Sequence, residues 1–94
     1  MELSVDVEKI ELEYKFDGSK RKSFPAIVGT KQGLTLSYVG GSRLSDQIRS
    51  QYQGYHYPKS YVYLDQNGTL YESLFMLTPD DNSFKLNKLN LKSN

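Results

Sequence analysis

Residues 60–77 read Ser60-Tyr61-Val62-Tyr63-Leu64-Asp65-Gln66-Asn67-Gly68-Thr69-Leu70-Tyr71-Glu72-Ser73-Leu74-Phe75-Met76-Leu77. Two runs rich in β-branched and aromatic residues flank Asn67-Gly68, the dipeptide favoured in two-residue type I′ hairpins because both central positions need positive φ. With that loop, Gln66 pairs with Thr69 and Leu64 with Tyr71. One face then carries Val62, Leu64, Tyr71, Phe75 and Leu77. The other carries Tyr61, Tyr63, Leu70, Leu74 and Met76 together with Asp65 and Glu72. Both faces are largely apolar, so the hairpin is either central and covered twice or meets a partner on its second face.

Upstream, across the linker Tyr55-His56-Tyr57-Pro58-Lys59, lies the one helical pattern. Leu44, Ile48 and Tyr52 recur every four residues, Ser42 stands where an N-cap belongs, and Asp46 falls early enough to suit the helix dipole. Gly54 fits the left-handed position that ends such a helix, which predicts about three turns over 43–53. So short a helix is marginal alone, and its apolar stripe must pack on a sheet. Before it, Leu34, Leu36 and Tyr38 alternate with polar residues as a strand that follows a turn at Gly33 and stops at Gly40-Gly41.

Toward the N-terminus the alternation changes phase. Leu3, Val5 and Val7 hold odd positions, whereas Ile10, Leu12, Tyr14 and Phe16 hold even ones, which predicts a β-bulge near Glu8-Lys9 in one long, bent strand. Asp17-Gly18-Ser19 supplies turn chemistry, and Lys20-Arg21-Lys22-Ser23-Phe24 is expected to return as a basic strand beside the acidic one. Pro25 marks an edge or a bend before Ala26-Ile27-Val28. At the other end, Thr78-Pro79-Asp80-Asp81-Asn82 reads as a turn. Phe84 and Leu86 then shift phase to Leu89 and Leu91, as in a second bulged strand. The two terminal strands are expected to pair and to close the sheet toward a barrel. The expected fold is one α+β domain over residues 1–94, a mostly antiparallel sheet or small partly open barrel of five to six strands with one short helix at about 43–53.

Composition narrows the chemistry. Ninety-four residues hold one modest core without staples. The chain has no cysteine and one histidine, which leaves no disulfide framework, thiol nucleophile or Cys-type zinc site. No metal site and no cofactor is expected. The first residues alternate apolar with acidic, unlike a secretory leader, and no apolar run approaches a membrane span. A cytoplasmic, soluble protein with no membrane partner is the expectation. Residues 1–17 carry six acids against two bases, and residues 18–59 carry seven bases against one acid. The net charge of only +1 nonetheless makes nucleic acid a less favoured partner than protein.

Two constellations are candidates for function. Tyr52, Tyr55, His56, Tyr57, Tyr61 and Tyr63, with Arg49 and Lys59 alongside, form a tyrosine-rich segment suited to a protein interface, since tyrosine offers large contact area with a polar tip. The same tyrosines also suit half-buried strands and a helix–sheet seam without further meaning. Gly40-Gly41-Ser42-Arg43 runs from a strand into a helix, where backbone N–H groups can face an anion, with Arg43 and Arg49 as counter-charges. The Walker and dinucleotide fingerprints are absent there, and a tight turn with a serine cap explains the same residues.

Other motifs favour structural readings. Asp65-Gln66-Asn67-Gly68 lacks the glycine position and length of a calcium loop. Asp80-Asp81 is expected to face water in a Pro-led turn, and Lys20-Arg21-Lys22 reads as a guarded edge strand. His56 has no serine elbow to serve, so catalysis is not expected. The leading reading is a small non-enzymatic binding domain, an adaptor or inhibitor docking on a protein through the tyrosine-rich helix–hairpin surface. The alternatives are a nucleotide or phosphate-ligand binder at residues 40–43, or a structural subunit that forms homo-oligomers or larger assemblies through its edge strands.

Overall fold

The computed structural model describes residues 3–14, 27–54, 59–74 and 83–93. Among the described residues six strands and one helix follow in the order β1 (Leu3–Glu13), β2 (Ile27–Gly29), β3 (Thr35–Gly40), α1 (Ser42–Gln51), β4 (Tyr61–Leu64), β5 (Leu70–Ser73) and β6 (Ser83–Ser93). The strands make one antiparallel sheet in the order β1-β6-β5-β4-β3-β2. The fold is therefore the α+β sheet with a single short helix that the alternation implies. The segments at 20–24, 25–26 and 78–82, with their expected strand and turns, lie outside the described residues, as do Phe75, Met76 and Leu77.

β4 and β5 are the two central strands, and residues on both of their faces are buried, Tyr63 and Tyr71 on one and Val62 and Glu72 on the other. The turn between them differs from the expected one. Leu64 pairs with Leu70, Tyr63 with Tyr71 and Val62 with Glu72, one step away from the register that an Asn67-Gly68 type I′ loop would impose. Gly68 has φ +85° while Asn67 keeps a negative φ, and a type I′ turn needs positive φ at both. The Gly68 N–H donates to the Asp65 carbonyl (3.2 Å) and the Asp65 N–H to the Thr69 carbonyl (3.0 Å). This is a type I turn closed by a left-handed glycine, the three-residue hairpin with a G1 bulge. Asp65 selects it, because its Oδ1 accepts the N–H groups of Asn67 (2.8 Å) and Thr69 (2.9 Å).

The β2–β3 hairpin repeats the device with Thr30 and Gly33 in the equivalent places: Gly33 N–H donates to the Thr30 carbonyl and Thr30 N–H to the Leu34 carbonyl, with Gly33 at φ +89°. The Gln66 side chain ties the two turns together, accepting from Thr35 N–H (2.9 Å) and donating to the Gly33 carbonyl (2.8 Å). A β-branched residue cannot hold the Gly68 conformation without strain. Gly68→Val is expected to cost about 1–2 kcal/mol, read as a shifted urea midpoint with unchanged slope.

The terminal strands pair as expected, but neither is bulged. The β1–β6 register runs unbroken from Leu3 opposite Ser93 to Glu13 opposite Ser83. The phase change instead reflects two cores on opposite faces of one ribbon. Val5 and Leu89 are buried with Val62 and Ile48, whereas Leu12, Phe84 and Leu86 are buried with Val28, Leu36, Tyr63 and Tyr71. Because side chains alternate across a strand, an odd-to-even switch moves the apolar set from one face to the other without any extra residue. Among the described residues the one register shift falls in β3, between Tyr38 and Gly40.

The helix lies over the first core, where Leu44, Ile48 and Tyr52 pack as their spacing implies. Its boundaries differ from those expected. Gly41 is the N-cap and Ser42 the first helical residue, no side chain caps the start, and Tyr52 leaves the helix in extended conformation. The first turn carries no acid, and Asp46 pairs instead with Arg49 one turn on. Gly54 has positive φ (+85°) but stands two residues beyond the C-cap, after Gln53 bridges back to Ser4.

The second core is enclosed by the curl of the sheet. The far ends of the two edge strands meet where Tyr14 bridges Thr30, where Lys31 N–H donates to the Glu13 carbonyl (2.9 Å), and where Lys31 and Glu13 form an ion pair at 3.5 Å. The sheet is curled toward a barrel without closing. Among the described residues no helix is long and apolar enough to cross a membrane.

Candidate functional site

The structure divides the tyrosine-rich segment between the two faces of the sheet. Tyr52 packs under the helix end against Val5, Ile48, Val62 and Leu89. Tyr61 and Tyr63 lie on the opposite face with the second core. Tyr55, His56 and Tyr57 lie outside the described residues. What Tyr61 and Tyr63 join is a residue absent from the expected set. Tyr38, directly opposite Tyr63 across β3 and β4, stands edge-on to it with ring centroids 5.7 Å apart and lies 6.4 Å from Tyr61. Tyr63 is fully buried, Tyr61 half-buried and Tyr38 exposed at 36%. The next residue, Val39, is the bulged one and is also exposed. The result is a graded stack, with a solvent-facing ring seated on a buried one. Tilted and edge-on contacts of this kind favour the aromatic quadrupole and fix the outer ring. The strand alternation made Tyr38 visible, but not its pairing with Tyr63, which depends on register.

At the helix start the geometry departs from an anion cradle. A Cβ on Gly40 would meet Leu44 Cβ at 2.9 Å, and one on Gly41 would meet the Tyr38 hydroxyl at 3.1 Å. The glycines therefore serve the close approach of α1 to β3 and of Tyr38 to the turn. Ser42 and Arg43 are exposed. Arg49 lies two turns along, paired with Asp46, and its charge acts on Glu72. The structure brings Gly40, Gly41, Ser42 and Arg43 together but does not bring Arg49 to them.

The most unusual group is Glu72, a carboxyl with no exposed surface at the seam between α1 and the central strands. Its partners in the ladder are Val62 on one side and Asn87 on the other. The Ser45 hydroxyl of α1 donates to its Oε2 at 2.7 Å, and the Ser60 hydroxyl just before β4 donates to the same oxygen. Among the described residues no donor reaches Oε1. Burial raises the Glu72 carboxyl, the Ser45 hydrogen bond and the Arg49 charge pull it back, and the outcome is a group pushed up to about 7. A two-residue Asn67-Gly68 loop would place Glu72 beside Tyr61 and Tyr63. The register that governs the turn puts it under the helix instead.

On the other face Asp65 shows the opposite behaviour. Its burial is outweighed by hydrogen bonds from Thr69 N–H, the Tyr71 hydroxyl (2.8 Å) and Asn67 N–H, with the charge of Lys88 adding to them, and its carboxyl sits below the ordinary value. Burial and then the hydrogen bond to Asp65 raise Tyr71. These contacts staple the central turn to the strand.

A shallow groove of about 470 Å³ runs along the ribbon between Lys9, Glu11, Lys85 and Asn87, with the exposed Leu74 on its wall. Glu11 is already engaged there by the Ser83 hydroxyl at 2.9 Å. Among the described residues no cluster of three or more metal-ligating side chains occurs. No family model, curated protein or solved structure matches the chain.

Proposed function

We propose that the chain is a small non-enzymatic binding domain that docks on a protein partner through the Tyr38–Tyr61–Tyr63 cluster, with Tyr38 as the anchor. The observation that carries this reading is the exposed Tyr38 ring seated on the fully buried Tyr63, beside the exposed Val39. A ring already held in one orientation loses little side-chain freedom on association, and tyrosine combines apolar area with a hydrogen-bonding tip. Aromatic anchors of this type dominate the energetics of protein interfaces. The near-neutral charge fits a protein partner better than a polyanion. One histidine and no cysteine in the whole sequence give little material for a catalytic centre.

Photo-crosslinking in cells tests the reading. A benzophenone side chain placed at Tyr38 is expected to yield a discrete protein adduct, and the same group at the exposed helix residue Gln47 none. Absence of an adduct from position 38, or equal adducts from both positions, contradicts the assignment.

A further inference from the structure

We propose that the Glu72 carboxyl, clasped by Ser45 and Ser60 in the seam beneath α1, is a proton-operated latch that lets the helix lift from the sheet as pH rises. This inference does not depend on the tyrosine cluster, which lies on the other face.

The geometry supplies the switch. Glu72 is fully buried, yet only one of its oxygens is served among the described residues, and the two hydroxyls that serve it come from α1 itself (Ser45) and from the residue just before β4 (Ser60). A buried carboxylate with a bare oxygen is costly, whereas its neutral form is tolerated. Among the described residues the charged surroundings are sparse. On α1 Arg49 faces the group, and it is shared with Asp46. On β4 the paired residue is Val62, and on β6 it is Asn87, neither of which titrates. Lys85 and Lys9 follow farther along that face and are exposed, and Glu11 beyond them is held by Ser83.

Lifting α1 hydrates Glu72, so the open state releases its proton at an ordinary carboxyl value near 4.5, and the docked state retains it to about 7. Docking is then favoured below that interval and weakened across it, by a factor that reaches roughly 300 for a displacement of this size. The surface uncovered is the apolar floor of Val5, Val62, Leu70 and Leu89. A helix of ten residues anchored mainly by Leu44, Ile48 and Tyr52 is small enough to open as a unit while the six-stranded sheet persists.

Amide hydrogen exchange followed by NMR between pH 5 and 8, corrected for intrinsic rates, tests the latch on the intact chain. Protection of the Ile48 and Tyr52 amides is expected to fall by on the order of 100-fold across that range, while β4 and β5 amides stay better protected at every pH. In Glu72→Gln the helix protection is expected to be flat with pH. Helix protection that ignores pH in the wild type, falls equally in Glu72→Gln, or equals that of the sheet amides overturns the proposal. Because the Gln variant has its own folding risk, a second measurement uses the wild type alone. The side-chain carboxyl carbon of Glu72 and the α1 amide shifts are expected to titrate together near neutrality, and a Glu72 midpoint below about 5 also overturns the latch.

Discussion

Tyr63→Ala is expected to lower the unfolding free energy by about 3–5 kcal/mol, the loss typical of truncating a fully buried aromatic side chain. Tyr63 has no exposed surface, sits on the central strand β4, and packs in the core that also holds Leu36, Tyr71 and Phe84. A domain of this size has only about 5–15 kcal/mol in total, so the variant is expected to be partly unfolded at 37 °C. Tyr38→Ala removes a ring already one-third in water and is expected to cost about 1 kcal/mol or less. Urea unfolding of the two variants separates scaffold from anchor. If Tyr38→Ala destabilises as much as Tyr63→Ala, the outer ring is a core residue and the proposed docking surface loses its basis. Comparable stability of the wild type and Tyr63→Ala would contradict the two-core description itself.

The distinction between these tyrosines explains how far the sequence could be read. Strand existence was legible because alternation is a direct consequence of side-chain geometry, and all three helix-face residues Leu44, Ile48 and Tyr52 landed where a four-residue period puts them. Faces were legible only through register, and register hung on one turn. Asn67-Gly68 suggested a two-residue loop, yet Asp65 at the first position and Gly68 at the fourth also fit a type I turn, and the Asp65 side chain settles the choice by accepting two turn amides. One step of slip exchanged Tyr71 for Glu72 between faces. That exchange hid the buried carboxyl under α1 and left Tyr61 and Tyr63 with Tyr71 in the second core. The phase changes in β1 and β6 misled for a related reason. A bulge and a change of buried face leave the same pattern in a single strand, and only the partner strand distinguishes them. Tyr38 looks like an ordinary strand residue in the sequence because nothing local announces that Tyr63 lies opposite it.

The two buried carboxyls give the domain an unusual pH dependence, with stability expected to peak between about pH 4 and 5. Asp65 is held below its ordinary value of 3.8. Its contribution is therefore present above that value and is lost as pH falls through its lower folded-state value. Glu72 is raised from 4.5 to about 7. Its contribution is complete below 4.5 and is lost as pH rises through 7, because the unfolded chain releases the proton that the folded one retains. A shift of that size corresponds to on the order of 3 kcal/mol across the interval. Most domains are steadier between pH 5 and 8, so a decline over that range is diagnostic. Urea unfolding from pH 3 to 8 is expected to show it in the wild type and to lose the neutral limb in Glu72→Gln. Asp65→Ala acts on the other limb. It strands the Tyr71 hydroxyl and removes the acceptor of two turn amides, for a loss of about 3 kcal/mol at pH 7 that shrinks as the wild type itself is acidified. A wild-type profile that is flat from pH 5 to 8 would mean that Glu72 reaches water in the folded state, and the buried seam beneath α1 would have to be redrawn.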